Sequence, residues 1–306
     1  MQLFRARLGS TRGVWLIISA AVCWGTVGPA TQSLYALTPT NALSIGFFRL
    51  AFALPLLALA CWRLLGRRSL ALPRRDLLVI VALGALVALY QALYFAAIAR
   101  AGVAVAALVT LCLAPVIVAL VSAGVLREQL TRVTLLALGL ALLGTALLID
   151  MRPAGDSAAL LVGVLLALGS AAGYALITLC GRTLAGRCHP LQTTTVGFAT
   201  AAALLLPFAL GSGFVIDYPA MGWGLLVYLG CVPTALAYAL FLRGMHTTSA
   251  TAASTITLLE PLTATLLAVV LFHERLGPLG VVGAALLLGA VAILARKERG
   301  ATAAGE

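Results

Sequence analysis

Ten apolar runs of about 20 residues, each parted from the next by a short polar or basic segment, govern what this chain can fold into. A run of about 20 apolar residues lets one helix cross a hydrocarbon core about 30 Å thick, with its backbone N–H and C=O groups bonded inside the segment. The runs lie at 14–34, 43–65, 77–98, 102–126, 132–150, 159–180, 192–212, 222–242, 250–272 and 277–295, and nothing of soluble-domain size is left between them. Of the 306 residues 62% are hydrophobic and 9% charged, with a mean hydropathy of +1.11. A soluble core with a polar surface does not reach such values. The expected fold is an all-α membrane protein of about ten transmembrane helices.

A net charge of +11 would point a soluble chain toward nucleic acid. Here the basic residues fall in the short segments between runs, where their use is topological. With the N-terminus on the cytoplasmic side, sixteen of the 20 basic residues collect there: Arg5, Arg7, Arg12, Arg63, Arg67, Arg68, Arg74, Arg75, Arg127, Arg132, Arg182, Arg187, Arg243, Arg296, Lys297 and Arg299. Arg100, Arg152 and Arg275 remain outside, and Arg49 lies within a run. The expectation is a multi-pass protein of the cytoplasmic (inner) membrane with both termini cytoplasmic, having the lipid bilayer and no nucleic acid as partner. Arg5, Arg7 and Arg12 ahead of "GVWLIISAAVCWG" have the shape of a signal peptide. The apolar text continues through Val27 and Ala30 toward Tyr35, which favours an uncleaved first helix.

Sliding the chain on itself by 146 positions lays "APVIVALVSAGVLREQL" (114–130) over "EPLTATLLAVVLFHERL" (260–276). Pro115 then meets Pro261, Glu128 meets Glu274, and Gly84 meets Gly230; with small shifts Gly25 meets Gly173 and Pro55 meets Pro207. Two units are expected, 14–150 and 159–295. Five spans per unit is an odd number, so the second enters the membrane from the opposite face. Such inverted repeats are the usual build of secondary transporters, in which two like halves exchange conformations around a midplane site.

These features resemble the drug/metabolite transporter superfamily, EamA type. The likeness rests on "WGTVGP" (24–29), "FFRLAFALPLL" (47–57), "APVIVALVSAGVLREQLT" and "LEPLTATLLAVVLFHERLG", together with the glycine-rich closing helices "LALGLALLGTALLI" and "GVVGAALLLGAVAIL". It spans about residues 14 to 295. What it implies is transport of a small organic solute by ten helices in two five-helix repeats, often outward, sometimes in exchange with protons. It does not fix the solute. One departure is Ala114, which stands where the second half has Glu260.

Glu260 is the sharpest candidate for the transport site. An ionised carboxylate deep in a bilayer faces a cavity, pairs with a cation or takes up a proton. The alternative is structural: Glu260 caps backbone donors where Pro261 disrupts the bond to the carbonyl of Thr257. Arg49, about six residues from the end of the second run, has three uses open to it. It can snorkel, pair with Glu260, or hold a substrate carboxylate with its bidentate fork. Trp24 and Thr26, Gln91 and Tyr94, Tyr174 and Tyr238 are polar-edged groups within runs, and Gln91 and Tyr94 share a helix face. Trp15, Trp62, Trp223, Tyr218 and Tyr228, nearer the ends, read as an interfacial belt. Pro115, Pro233 and Pro261 are hinge candidates. Gly169 and Gly173, and Ala285 and Gly289, are spaced for close helix packing within a monomer or across a homodimer.

Other chemistry finds little footing. No CxxC pair occurs among the six cysteines, and the three histidines lie far apart, so neither a metal site nor a disulfide framework is expected. Without a phosphate-cradling "GxxxxGK[ST]" motif, ATP hydrolysis is not expected, and the reading needs no cofactor. A lipid-modifying enzyme would show a nucleophile with its base or paired acids, and a sensor would add a soluble docking domain. The leading reading is a secondary exporter or exchanger of an amino acid or related metabolite, possessing a small-molecule partner and protons as the coupling candidate. Nucleobases, sugars and cationic drugs stay open.

Overall fold

A computed structural model describes residues 2–66, 72–125, 132–149, 157–184, 186–248, 253, 256–274 and 277–303. The described segments are almost wholly helical: α1 (Gln2–Gly25), α2 (Val27–Leu37), α3 (Ala42–Leu65), α4 (Arg74–Ala101), α5 (Val103–Val125), α6 (Arg132–Ile149), α7 (Ser157–Leu184), α8 (Pro190–Gly211), α9 (Ala220–Gly230), a π-helical turn (Cys231–Leu236), α10 (Ala237–Met245), α11 (Leu259–Phe272) and α12 (Pro278–Ala303). Six spans are long and apolar enough to cross a membrane, and four shorter apolar helices fill the remaining places, giving the expected ten. Residues that start and stop these helices are ordinary caps. The Asn41 side chain accepts from the Ser44 N–H at 2.9 Å, His189 Nδ1 accepts from the Leu191 N–H beside Pro190, and His273 closes α11 in the left-handed conformation at φ 53°. His246 follows the last residue of α10, so all three histidines are helix-end residues.

The packing obeys a twofold exchange of the halves. α4 lies on α7 as α10 lies on α1, α5 lies on α7 as α11 lies on α1, and α4 lies on α8 as α9 and the π turn lie on α3. α3 and α8, α5 and α11, and α6 and α12 pair directly with their own counterparts. The match reaches single residues. A Cβ on Gly84 would meet the Gly197 carbonyl at 2.6 Å and Thr200 Cβ at 2.7 Å, whereas one on Gly230 would meet Phe52 Cβ at 2.5 Å and the Arg49 carbonyl at 2.8 Å. Gly197 and Thr200 therefore stand to Gly84 as Arg49 and Phe52 stand to Gly230. Both crossings bring backbones together where only glycine fits.

Three spans depart from a single continuous helix. The first breaks at Thr26, between α1 and α2; the eighth widens into the π turn; and the ninth is interrupted by a turn at Thr257 and Leu258, between helical Ile256 and Leu259. The first and ninth breaks lie about one turn before Pro29 and Pro261, and the π turn contains Pro233; these prolines have no N–H for the carbonyls of Gly25, Thr257 and Leu229. The spans broken this way are neighbours, since α1 packs on both α10 and α11. Their symmetry mates α7, α4 and α5 run unbroken, although α5 contains Pro115.

The two ends of the bundle are tied differently. On the face away from the chain termini, Glu274 Oε1 and Oε2 accept from the N–H groups of Val103 at 2.8 Å and Ala104 at 3.0 Å. A carboxylate thereby caps the N-terminus of α5, where the helix dipole favours negative charge. The repeat-mate Glu128 lies outside the described residues. On that same face Asn41 Nδ2 donates to the Gly213 carbonyl, Val215 N–H donates to Ser44 Oγ, and Phe214 lies against both Phe47 and Phe48. On the terminal face Asp76, at the start of α4, pairs with Arg187.

Candidate functional site

Arg49 does not snorkel. It is 8% exposed, and its guanidinium is held from two sides: Nε donates to Thr234 Oγ1 at 2.8 Å and Nη1 donates to Gln91 Oε1 at 3.1 Å. Gln91 is locked in turn, because its Nε2 donates to the Gly46 carbonyl at 2.8 Å. Thr234 Oγ1 donates to the Leu229 carbonyl at 2.7 Å. Phe95 lies under the guanidinium at 5.8 Å, within reach of a cation–π attraction. Nη2 has no hydrogen bond among the described residues.

Glu260 opens α11 in the middle of the ninth span. Its N–H donates to the Thr257 carbonyl at 3.0 Å, taking up the acceptor that Pro261 leaves. Among the described residues the carboxylate accepts no backbone N–H and makes no ion pair with Arg49. Glu260 nevertheless lies within electrostatic range of Arg49, Tyr90, Tyr94, Tyr174 and Tyr238. A half-helix that begins here directs its positive dipole end at the carboxylate. This is a physical reason for the ninth span to break where the fourth, with uncharged Ala114, does not.

Aromatic rings wall the space between them. Tyr90 stacks on Tyr94 with centroids 6.1 Å apart and meets Tyr174 at 5.3 Å. Trp24 meets Tyr238 at 5.3 Å and Phe241 at 5.2 Å, and Phe198 packs on Tyr238. Tyr174 is 37% exposed, while Trp24, Tyr90, Tyr238 and Glu260 are partly so. All five keep some accessible surface. The indole N–H of Trp24 is buried without a hydrogen-bond partner among the described residues. A separate apolar cleft of about 380 Å³, lined by Ser33, Ala36, Leu37, Met221, Leu225 and Phe272, shares none of these groups and has no charge with which to select a polar solute.

The structure thus brings Trp24, Arg49, Gln91, Tyr94, Tyr174, Tyr238 and Glu260 around one centre. Thr26 serves the break in the first span: its hydroxyl donates to the Cys23 carbonyl at 2.7 Å, so at 2.8 Å it accepts from Tyr228. Tyr228 is accordingly no belt residue, and Trp223 packs among Phe48, Phe52 and Tyr218. Trp15 and Trp62, 63% and 58% exposed, keep the belt reading. Of the hinge candidates, Pro233 sits in the π turn and Pro261 in the first turn of α11, whereas Pro115 lies inside an unbroken helix. Gly173 packs against Tyr90, and Gly169 approaches Leu93, so this pair serves contacts within the chain. Sequence reading missed Tyr90 and Thr234. Tyr90 stands four before Tyr94 on one helix face; for Thr234 the only signal was a hydroxyl next to a proline.

Inverted repeats with broken helices are a build shared by many membrane transporters. The EamA-like transporter family matches the chain twice, over residues 11–150 and 161–296, and the chain belongs to that family. It is 35% identical over 298 residues to the uncharacterized transporter YwfM of Bacillus subtilis, covering 94% of this chain and 96% of that protein. An uncharacterized transporter of Archaeoglobus fulgidus is 32% identical over 140 residues, 46% of this chain and 50% of that one. Among solved structures, a chain described only as a crystal structure of a protein aligns with a TM-score of 0.63 at 22% identity, covering 94% of this chain and 98% of its own. That likeness shows the fold alone.

Proposed function

We propose that the protein is a secondary transporter that exports or exchanges an amino acid or related metabolite across the cytoplasmic membrane by alternating access. The observation that carries this reading is the placement of Arg49 and Glu260. One comes from each repeat, and they face a shared aromatic-walled space without pairing. A zwitterion satisfies both, its carboxylate on the guanidinium fork and its ammonium toward Glu260 and the π faces. An anionic or cationic solute alone leaves one charge uncompensated. Proton exchange is the coupling that Glu260 would carry.

The test is uptake and efflux of radiolabelled amino acids by purified protein in proteoliposomes. Arg49→Gln is expected to lower flux at limiting substrate about 10-fold, the scale of one charged hydrogen bond. Glu260→Gln is expected to flatten the pH profile. Absence of flux for every amino acid overturns the substrate reading. An unchanged pH profile in Glu260→Gln overturns proton coupling through that residue while leaving transport standing.

A further inference from the structure

Pro233 and Thr234 have a more specific use than a hinge. Pro233 lacks the N–H that would bond the Leu229 carbonyl in a regular helix. The π turn brings Thr234 Oγ1 to that carbonyl as donor, at 2.7 Å. A hydroxyl has one proton to give, so its lone pairs then point elsewhere, and here one receives the Arg49 Nε–H at 2.8 Å. Gln91 fixes Nη1 from the opposite side and is itself fixed on Gly46. The guanidinium has five N–H donors in one rigid plane. Anchoring Nε and Nη1 sets that plane, and the Nη2 donors remain for a ligand. The approach of Gly230 to the Arg49 carbonyl keeps the eighth span close enough for Thr234 to reach.

We infer that Thr234 and Gln91 are positioning residues that aim Arg49 at the carboxylate of the transported solute, and that the π turn exists to present the Thr234 hydroxyl. This rests on the reading of Arg49 as the carboxylate site. The two halves of the claim are tested separately. In protein labelled with 15N-arginine, the Arg49 Nε–H resonance, identified by its loss in Arg49→Lys, reports the anchor without any substrate. Its exchange with water is expected to be slow in the wild type and in Thr234→Ser, which keeps the hydroxyl. In Thr234→Val, which keeps the shape, it is expected to be at least about 10-fold faster. Equal protection in Thr234→Val overturns the anchor. In proteoliposomes carrying any amino acid the wild type transports, Thr234→Val and Gln91→Met are expected to raise KM about 10-fold with the maximal rate nearly kept, and Thr234→Ser to restore it. An unchanged KM in both, or loss of maximal rate alone, overturns the positioning role. Should no amino acid be transported while the exchange difference holds, the substrate reading fails and the anchor stands. Gln91→Met leaves the π turn intact, so it keeps the transport test decisive even if Thr234→Val does not fold.

Discussion

A glutamate common to both halves and a glutamate present in one half turn out to do different work. Glu274, which the repeat pairs with Glu128, bonds two backbone N–H groups at the start of α5; Glu260, facing Ala114 across the repeat, bonds none among the described residues. Glu274→Ala is expected to lower stability by about 1 kcal/mol, the worth of an N-terminal cap, and Glu274→Gln by less, because an amide oxygen still accepts one bond. Thermal unfolding in detergent checks both, and an unchanged midpoint in Glu274→Ala would refute the cap. Sequence could identify Glu274 as shared but not as a cap, since its partners lie 171 and 170 residues away. The same holds for Arg49 and Thr234, 185 apart. Their types and depth were legible; their pairing was a matter of tertiary approach.

At the level of helices, the ten spans and their duplication could be read directly, because hydropathy is a one-dimensional signal and the bilayer fixes its length. Continuity could not. Pro115 and Pro261 occupy matching places, yet α5 runs through the first and the ninth span breaks before the second. A proline only removes a donor; whether the helix opens depends on what the freed carbonyls and the new helix end can meet. The breaks gather in the first, eighth and ninth spans, leaving their mates, the sixth, third and fourth, regular. Backbone hydrogen exchange is therefore expected to be faster around Thr26, Cys231–Leu236 and Thr257 than at Tyr174, Ala85–Tyr90 and Leu111 in the intact mates. Equal protection at these matched depths would show that the breaks carry no local opening.

For the whole molecule, the distribution of basic residues predicts cytoplasmic termini. Green fluorescent protein fused after Glu306 is expected to be fluorescent, and alkaline phosphatase placed there inactive, whereas phosphatase fused after Gly213 is expected to be active; the reverse pattern would invert the topology. Within that frame the halves are geometrically alike and chemically unlike. Arg49 stands at one crossing where Gly197 stands at the other, and Glu260 stands where its mate is Ala114. Two identical five-helix copies assembled as a dimer would carry every charge twice, at both symmetry-related places, and so would set cation beside cation's twin and acid beside acid's twin. In a single chain each copy can carry a side chain that the other lacks. A centre with Arg49 from one copy and Glu260 from the other requires two copies that are unlike.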